Sequence, residues 1–298
     1  MPSRRPPTDV GTTDRADTTE PTDRVRLIDA HGHLQADRFG GDLDLVVGGA
    51  RLAGVERLLV PGWDVGSSLD ALAVVARYPW MDAAVGVHPH AAAEVDDTGW
   101  ARIVELATDP RVRAIGETGL DTDRGFSPLD AQLTNLRRNL ALALETGKPA
   151  ILHCRSKPGA RDAQDRLAAE LTAGGFGSAA SRRTFGDRPP AIIHSFSGPL
   201  DYAETILGLG LAISFSGLVF RAGEESSAEV ARLVPDDRLL VETDAPFLSP
   251  PGAPRKRNAP EWVAVTVGWL AERRSVDSAR LGEQLIANYD RILPRNAG

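Results

Sequence analysis

The amino-acid sequence predicts one α/β domain: a single (β/α)8 barrel of the TIM type, with parallel strands and an extra C-terminal helix. Two observations predict this fold. Short apolar runs alternate with amphipathic segments, which is typical of a parallel sheet covered by helices. Eight such runs follow one another over roughly 270 residues, enough to close a barrel. The alternative is an open, doubly wound sheet, but the sequence has neither its Gly-rich fingerprint nor a P-loop.

Each predicted strand is a short apolar or β-branched run that ends in a polar residue, a glycine or a proline. Their nearly continuous apolar character indicates burial on both faces, as in a parallel sheet. The predicted strands are residues 26–34, 55–62, 83–90, 112–121, 149–155, 191–197, 209–217 and 239–246.

Amphipathic segments follow each of these strands. The longest contains Leu136, Leu140 and Leu144, whose spacing of four matches the period of a helix. A further segment after the eighth repeat predicts the extra C-terminal helix. The predicted helices are residues 42–53, 67–77, 98–107, 128–146, 160–173, 200–207, 228–234, 260–273 and 278–286.

The first 24 residues are excluded from the predicted barrel. They are rich in Thr, Pro, Asp and Arg, and Val10 and Ala16 are almost their only apolar side chains. So polar a segment buries too little surface to offset the entropy of ordering it. We therefore expect a disordered tail over residues 1–24 and the barrel over residues 25–298.

The overall composition limits the class of protein. A net charge of -7 argues against a protein that coats polyanions through its overall charge. Cys154 is the only cysteine, so no disulfide can form within the chain. No run of about 18 uncharged apolar residues is present, which predicts no membrane span. We expect a cytoplasmic protein and leave its oligomeric state open.

All six histidines occur towards the ends of predicted strands, which form the catalytic rim of a (β/α)8 barrel. His31 and His33 are two residues apart, so alternation along the strand points both imidazoles to the same side. Converging neutral imidazoles suit a metal ion. The six histidines are His31, His33, His88, His90, His153 and His194.

Two carboxylates, Glu117 and Asp244, follow apolar runs and belong to the same rim. With four of the histidines they make six ligand-type groups, whereas one zinc ion takes three or four protein ligands. Six groups therefore predict two divalent ions about 3.5 to 4 Å apart, bridged by a carboxylate. The predicted metal ligands are His31, His33, Glu117, His153, His194 and Asp244.

A paired metal centre predicts hydrolysis. A bound divalent ion lowers the pKa of its water from about 15.7 towards roughly 7, and a second ion can hold the oxygen of the electrophile. We assign Asp244 as the catalytic general base and Glu117 as the catalytic carboxylate that bridges the ions. Four imidazoles favour zinc or manganese as the metal.

Six motifs occur in the order in which they occur in one known family. They are Asp29–Leu34 (DAHGHL), Gly86–Pro89 (GVHP), Gly116–Asp121 (GETGLD), Leu152–Arg155 (LHCR), His194–Gly198 (HSFSG) and Glu242–Leu248 (ETDAPFL). On these motifs the chain resembles the TatD-like metal-dependent hydrolases, which are amidohydrolase-like TIM barrels. The resemblance implies a deoxyribonuclease, often a 3′ to 5′ exonuclease on single-stranded DNA. Because that activity depends on magnesium, the metal stays open between Mg²⁺, Zn²⁺ and Mn²⁺.

The resemblance also implies roles for single residues. Asp244 would position the attacking water, and His88 would contact the scissile phosphate or a carbonyl group of the substrate. The two ions would be held by two sets of ligands that share Glu117. One set would be His31, His33, Glu117 and Asp244, and the other would be Glu117, His153 and His194.

Alternation along the strands predicts further roles around the ligands. Arg155 shares the inward face with His153 and can bind an anionic substrate. Phe196, next to His194, either stacks on a base or fills the mouth of the barrel. Cys154 is predicted to point outwards and to pack against the helices.

Two acidic residues, Glu242 and Asp29, lie two positions before the predicted ligands Asp244 and His31. They share the inward face but lie deeper in the barrel. We expect both to be partners of a metal ligand rather than ligands themselves.

The chain departs from the family pattern at several positions. Thr122–Arg124 stands where the family has an aromatic pair before an arginine, which removes a stacking surface. Residues 156–160 lengthen the loop after strand 5, which faces the substrate. Ala259 replaces a frequent acid, so the basic run 255–257 has no compensating charge. Gly32 and Gln35 also differ from the family, but neither is a predicted ligand.

The charged residues near the rim indicate the class of substrate. Basic residues near the rim, namely Arg155, Lys157, Arg161 and the run 255–257, favour a phosphodiester, and single-stranded DNA is the expected partner. The alternatives are a small-molecule amide, lactam or lactone, with Arg155 holding a carboxylate, and a D-aminoacyl-tRNA. A barrel without catalytic activity is disfavoured because no ligand is missing from the predicted set.

Overall fold

The structure is a computed structural model that describes residues 25–295, and these residues form the predicted barrel. Eight strands form one sheet in chain order, and each pairs in parallel with the next. The predicted tail, residues 1–24, lies outside the described residues. The strands are β1 (Leu27–Asp29), β2 (Val55–Pro61), β3 (Met81–Val85), β4 (Val112–Asp121), β5 (Ala150–Arg155), β6 (Ala191–Ile193), β7 (Ala212–Phe215) and β8 (Leu239–Val241).

Hydrogen bonds between the ends of β8 and β1 complete the barrel. The backbone N–H of Ala30 donates to the carbonyl oxygen of Val241 at 2.9 Å, and that of Asp244 donates to His31 at 2.8 Å. This seam therefore holds two predicted metal ligands, from opposite ends of the sequence, side by side.

A buried carboxylate, that of Asp29, strengthens the same seam. It accepts hydrogen bonds from the backbone N–H of Thr243 at 2.9 Å, from the Thr243 hydroxyl at 2.6 Å and from the backbone N–H of His31 at 3.2 Å. Burial raises the pKa of Asp29 to about 7. Asp29 thus contacts the predicted ligand His31 through the backbone of His31 rather than through its imidazole.

The helices alternate with the strands along the described chain and pack around the sheet. Nine of them match predicted segments, and α10 is the predicted extra C-terminal helix. None combines the length and apolar character needed to cross a bilayer. The helices are α1 (Leu43–Ala53), α2 (Val65–Arg77), α3 (Asp97–Leu106), α4 (Leu129–Thr146), α5 (Asp162–Ala173), α6 (Ala179–Phe185), α7 (Leu200–Gly208), α8 (Ser227–Leu233), α9 (Val263–Arg274) and α10 (Ser278–Ile292).

Two kinds of difference separate the structure from the sequence prediction. The helix α6 was not predicted, because seven residues are too few to show a clear helical period. Several strands are shorter than predicted: β1 ends at Asp29, and β3 ends at Val85. As a result, only His153 lies within a strand: four of the other histidines lie on loops just after the strands, and His90 lies in a short 3-10 helix, Pro89–Ala91, after β3.

Gly119 allows close contact between β4 and β5. Its φ is +143°, and a Cβ atom at this position would lie 1.9 Å from the carbonyl oxygen of His153. Only glycine fits such a conformation and such a distance. The close approach sets the spacing between the strands that carry Glu117 and His153.

We predict that Gly119→Ala lowers the free energy of unfolding by about 2–6 kcal/mol, the combined cost of overpacking and backbone strain. Gly48→Ala is the matched control, because Gly48 lies within α1 and a Cβ there meets no atom within 4 Å. The control is expected to raise stability by about 0.5–1 kcal/mol. Urea unfolding followed by circular dichroism measures both, and equal midpoints for the two variants would contradict the prediction.

Candidate metal centre

The strand ends bring all six predicted ligand residues into one cluster. The Nε2 atoms of His31 and His33 are 3.2 Å apart, so the two imidazoles converge on one point, as alternation predicts. Every member of the cluster lies at the C-terminal rim. Its members are His31 and His33 after β1, Glu117 in β4, His153 in β5, His194 after β6 and Asp244 after β8.

The Glu117 carboxylate lies at the centre and divides its two oxygens between two groups of imidazoles. Its Oε2 atom is 3.2 Å from Nε2 of His31 and 3.5 Å from Nε2 of His33. Its Oε1 atom is 2.8 Å from Nε2 of His194 and 3.1 Å from Nδ1 of His153. Each oxygen thus faces a separate set of nitrogen donors.

Asp244 lies on the side of the first group. Its Oδ1 atom is 3.5 Å from Nε2 of His33 and 3.8 Å from Nε2 of His31. The side chain of Asp244 is 13% exposed, whereas that of Glu117 is 3% exposed. Of the two carboxylates, Asp244 is therefore the one that solvent in the cavity can reach more easily.

Hydrogen bonds on the outer ring nitrogens orient two of the imidazoles. Nδ1 of His194 is 3.1 Å from Oε1 of Glu242, and Nδ1 of His33 is 3.2 Å from the carbonyl oxygen of Pro61. With the proton on Nδ1, the lone pair of Nε2 is directed into the cluster. Glu242 is fully buried beneath the cluster, in agreement with its predicted position.

A third carboxylate, Asp121, was not assigned a role from the sequence. Its Oδ2 atom is 3.3 Å from Nε2 of His153 and 2.7 Å from Nε2 of His90, so it links the cluster to His90. Asp121 lies four residues after Glu117 on β4, so strand periodicity already placed both on one face. That shared face is the signal in the sequence that would have identified it.

The predicted substrate contact His88 lies against the cluster. Its Nε2 atom is 3.2 Å from Oε1 of Glu117, and its Nδ1 atom accepts a hydrogen bond from the backbone N–H of His90 at 3.1 Å. Nε2 is therefore the nitrogen that carries the proton in the neutral ring. Burial lowers the pKa of His88 to about 4, which favours this neutral form.

The electrostatics of the cluster keep Glu117 ionised. Burial opposes a charged carboxylate, but His194, His88 and His31 around it outweigh burial and hold the pKa of Glu117 well below its usual range. Burial likewise opposes a charged His194, but Glu117 and Glu242 raise the pKa of His194 well above its usual range. A buried anion surrounded by imidazoles is a suitable environment for cations.

A cavity of about 960 Å³ opens above the cluster. Its wall includes Glu117, Asp244 and His88, together with the loop over residues 156–160 that the sequence predicted to face the substrate. Arg155, another predicted substrate contact, also lines this cavity, and its Nε atom donates to Asp123 at 2.9 Å.

The cavity wall also carries free positive charge. Arg124 and Lys157 line it, and neither forms an ion pair within residues 25–295. Two other predicted basic groups do not line the cavity. Arg161 is paired with Asp165 and Asp201 at 2.8 Å each, and the run 255–257 lies elsewhere on the described surface.

The position of Phe196 differs from the predicted one, at the substrate side of the barrel. The ring is 1% exposed, stacks on Tyr202 with 5.7 Å between ring centroids and does not line the cavity. It therefore packs in the hydrophobic core against α7 rather than at the mouth of the barrel, and it offers no face to a substrate base. The reason is local: Ser195 has a φ of +43°, which breaks the strand alternation used to place Phe196 beside His194.

Cys154 is buried, and burial raises the pKa of its thiol to about 12. A thiol with so high a pKa is not a nucleophile at neutral pH. Packing is the role that the sequence predicted for this residue, which also lies at the cavity wall.

A TIM barrel whose strand ends gather imidazoles and carboxylates around one cavity defines the class of metal-dependent hydrolases. A sequence profile described as TatD related DNase matches residues 28–294, and the chain belongs to this family. The family expected from the motifs is thereby confirmed.

Individual relatives agree with this assignment. The chain is 36% identical over 275 residues to the 3′-5′ ssDNA/RNA exonuclease TatD of Erwinia billingiae (strain Eb661), covering 89% of this chain and 98% of that protein. It is 32% identical over 270 residues to the uncharacterized metal-dependent hydrolase YabD of Bacillus subtilis (strain 168), covering 91% and 100%. The structure of YJJV, a TatD homolog from Escherichia coli k12, matches with a TM-score of 0.77 at 27% identity, covering 90% and 98%.

We predict that Phe196→Ala lowers the free energy of unfolding by about 3–5 kcal/mol, because it removes a fully buried ring. Leu45→Ala is the control, since Leu45 is 77% exposed on α1 and its loss is expected to cost less than about 0.5 kcal/mol. Chemical unfolding gives both values. If the two variants unfolded at the same denaturant concentration, Phe196 would not be a core residue.

Proposed function

We propose that this chain is a nuclease that holds two divalent metal ions, one on each side of Glu117, and removes nucleotides from the 3′ end of single-stranded nucleic acid. The observation that carries the proposal is the division of the two Glu117 oxygens between two sets of imidazoles. The Erwinia billingiae relative, named as a 3′-5′ ssDNA/RNA exonuclease, supports the substrate and the polarity.

The donors of the cluster fit divalent ions. Two groups of side chains bring one donor atom from each residue within 4.8 Å of the others: His31, His33 and Glu117, and Glu117, His153 and His194. The outer nitrogens of His33 and His194 are held by hydrogen bonds, which leaves their inner nitrogens free to bind. Asp244 would add a carboxylate to the first set. The mixed nitrogen and oxygen donors suit Zn²⁺ or Mn²⁺ and also accept Mg²⁺.

The ions would supply Lewis acidity, by lowering the pKa of a water molecule and stabilising negative charge on the phosphoryl oxygens. The chain supplies the rest. Glu117 is ionised and buried, so it serves as a fixed anion rather than as a proton carrier. Asp244 is the more exposed of the two carboxylates at the cavity and is therefore the one that accepts a proton from the attacking water.

The substrate would be held by the groups that line the cavity around the cluster. The Nε2–H group of His88 is directed at Glu117, next to the predicted metal ligands. In this position it can donate a hydrogen bond to a phosphoryl oxygen of the substrate. Arg155 uses its Nε atom for Asp123 and has its remaining donors for a phosphate. With Arg124 and Lys157 it places cationic side chains at the cavity wall, although the net charge of the chain is -7.

We predict that Asp244→Asn lowers kcat by at least about 100-fold, because an amide cannot accept the proton from the attacking water. The fold and at least one metal ion should be retained, as circular dichroism and elemental analysis would show. Asp123→Asn is the control at the cavity wall and should change kcat less than about tenfold. An Asp244→Asn enzyme with full metal content and wild-type turnover would remove Asp244 from the mechanism.

A second prediction concerns the carboxylate of Glu117, which is proposed to bridge the two ions. Replacing Glu117 with Gln removes the charge that both groups of imidazoles share, so bound metal should fall from two ions per chain to one or none. Inductively coupled plasma mass spectrometry of the purified variant measures this ratio. Two ions retained by Glu117→Gln would show that the carboxylate does not bridge them.

The substrate class is tested with a panel of single-stranded DNA, single-stranded RNA, simple amides and esters, and D-aminoacyl-tRNA, each with Mg²⁺, Mn²⁺ or Zn²⁺. We expect hydrolysis of the single-stranded polynucleotides, with kcat/KM falling steeply as salt rises, because counterion release contributes to their binding. Turnover confined to neutral amides or lactones and insensitive to salt would favour the small-molecule amidohydrolase instead.

A further inference from the structure

Two aromatic side chains stand against the His33 imidazole at the cavity. The Trp63 ring lies 5.4 Å from that of His33, between centroids, with an angle of 71° between their planes. The Phe247 ring lies 6.0 Å away at 72°. Both residues line the same cavity as Glu117 and Asp244. Their side chains therefore flank one of the candidate ligands on the solvent side.

Neither ring is part of the hydrophobic core. Phe247 is 46% exposed and is among the few large apolar side chains with so much exposed surface, while Trp63 is half-buried. The Arg38 guanidinium lies 5.3 Å from the centre of the Phe247 ring and adds a positive charge to this aromatic surface. Exposed aromatic surface next to a reaction centre marks a site that binds ligands.

The backbone of Trp63 is held firmly. Its N–H donates to the hydroxyl of Ser67 at 2.8 Å, and its carbonyl oxygen accepts from the N–H of His88 at 2.9 Å. Ser67 and Asp64 form a capping box at the start of α2. The indole is thus mounted on a fixed point of the rim, which lowers the entropy lost when a ligand stacks on it.

We propose that Trp63 and Phe247 form a stacking site for a nucleobase, namely the base of the 3′-terminal nucleotide that the enzyme releases. The inference rests on the proposed nuclease function and adds the part of the substrate that this end of the cavity recognises. Stacking on an aromatic ring accepts every base, because each base has a π face. The site therefore recognises a terminal nucleotide without selecting its sequence.

The distribution of charge supports this placement. The aromatic site lies beside His33, whereas Arg155 at the end of β5 and Lys157 on the following loop line the cavity wall on the side of His153. A base needs an apolar surface, and a polynucleotide backbone needs cations. The terminal base thus occupies the Trp63 side, and the preceding phosphates follow the Arg155 side.

The test compares two oligonucleotides that differ only in the terminal base: a normal single-stranded DNA and the same strand ending in a stable abasic analogue. For the wild-type enzyme, kcat/KM should fall about 5- to 150-fold when the base is removed. In Trp63→Ala and in Phe247→Ala the same removal should change kcat/KM less than about threefold. Trp63→Phe retains an aromatic ring and should restore the wild-type ratio of kcat/KM between the normal and the abasic strand.

Phe126→Ala is the matched control. Phe126 is 69% exposed at the rim and lies 4.7 Å from the His90 ring, but it does not line the described cavity. This variant should keep the wild-type ratio. Because the readout is a ratio of two substrates, a variant that only loses folded protein lowers both rates equally and leaves the ratio unchanged.

Two results would overturn the stacking site. One is a wild-type enzyme that hydrolyses both oligonucleotides equally well, and the other is a full wild-type ratio in Trp63→Ala and Phe247→Ala. A wild-type enzyme that hydrolyses neither strand would instead refute the nuclease function, and the stacking site with it.

Discussion

The structure around the rim depends on one buried charge, the carboxylate of Glu117. A carboxylate that is 3% exposed is unfavourable unless positive charge and hydrogen bonds compensate for its lost hydration. Imidazole nitrogens from five histidines lie within 3.5 Å of its two oxygens, and they come from the ends of β1, β3, β5 and β6. No single strand can provide this arrangement. The barrel is needed because it brings the ends of distant strands to the same rim, with Glu117 on the strand between them.

Much of this arrangement follows from periodicity in the sequence. Apolar runs that alternate with amphipathic segments predicted the order of the strands, and β4 and β5 match their predicted limits to within one residue. The spacing of His31 and His33 predicted that both imidazoles point to one side. In the structure, backbone hydrogen bonds to the residues after β8 keep this segment extended, so the alternation applies. The six predicted ligands could be chosen from the sequence because strand ends in a parallel barrel share one edge.

The remaining features depend on contacts that periodicity does not describe. The prediction for Phe196 was wrong because alternation fails where β6 ends and Ser195 adopts a left-handed conformation. Arg161 was expected near the substrate, but ion pairs with Asp165 and Asp201 hold it on the outer surface. The link from Asp121 to His90 joins the end of β4 to the segment after β3, and the position of Trp63 beside His33 joins the segments after β2 and β1. Such pairs are set by tertiary packing and are not encoded in any local spacing.

In the proposed metal centre, one carboxylate, that of Glu117, joins two metal ions. Anomalous X-ray scattering from a crystal grown with Mn²⁺ tests this arrangement most directly. We expect two peaks about 3.5–4 Å apart, one bound by Oε2 of Glu117 with His31 and His33, the other by Oε1 with His153 and His194. A single peak in the cluster, or two peaks of which only one contacts Glu117, would contradict it.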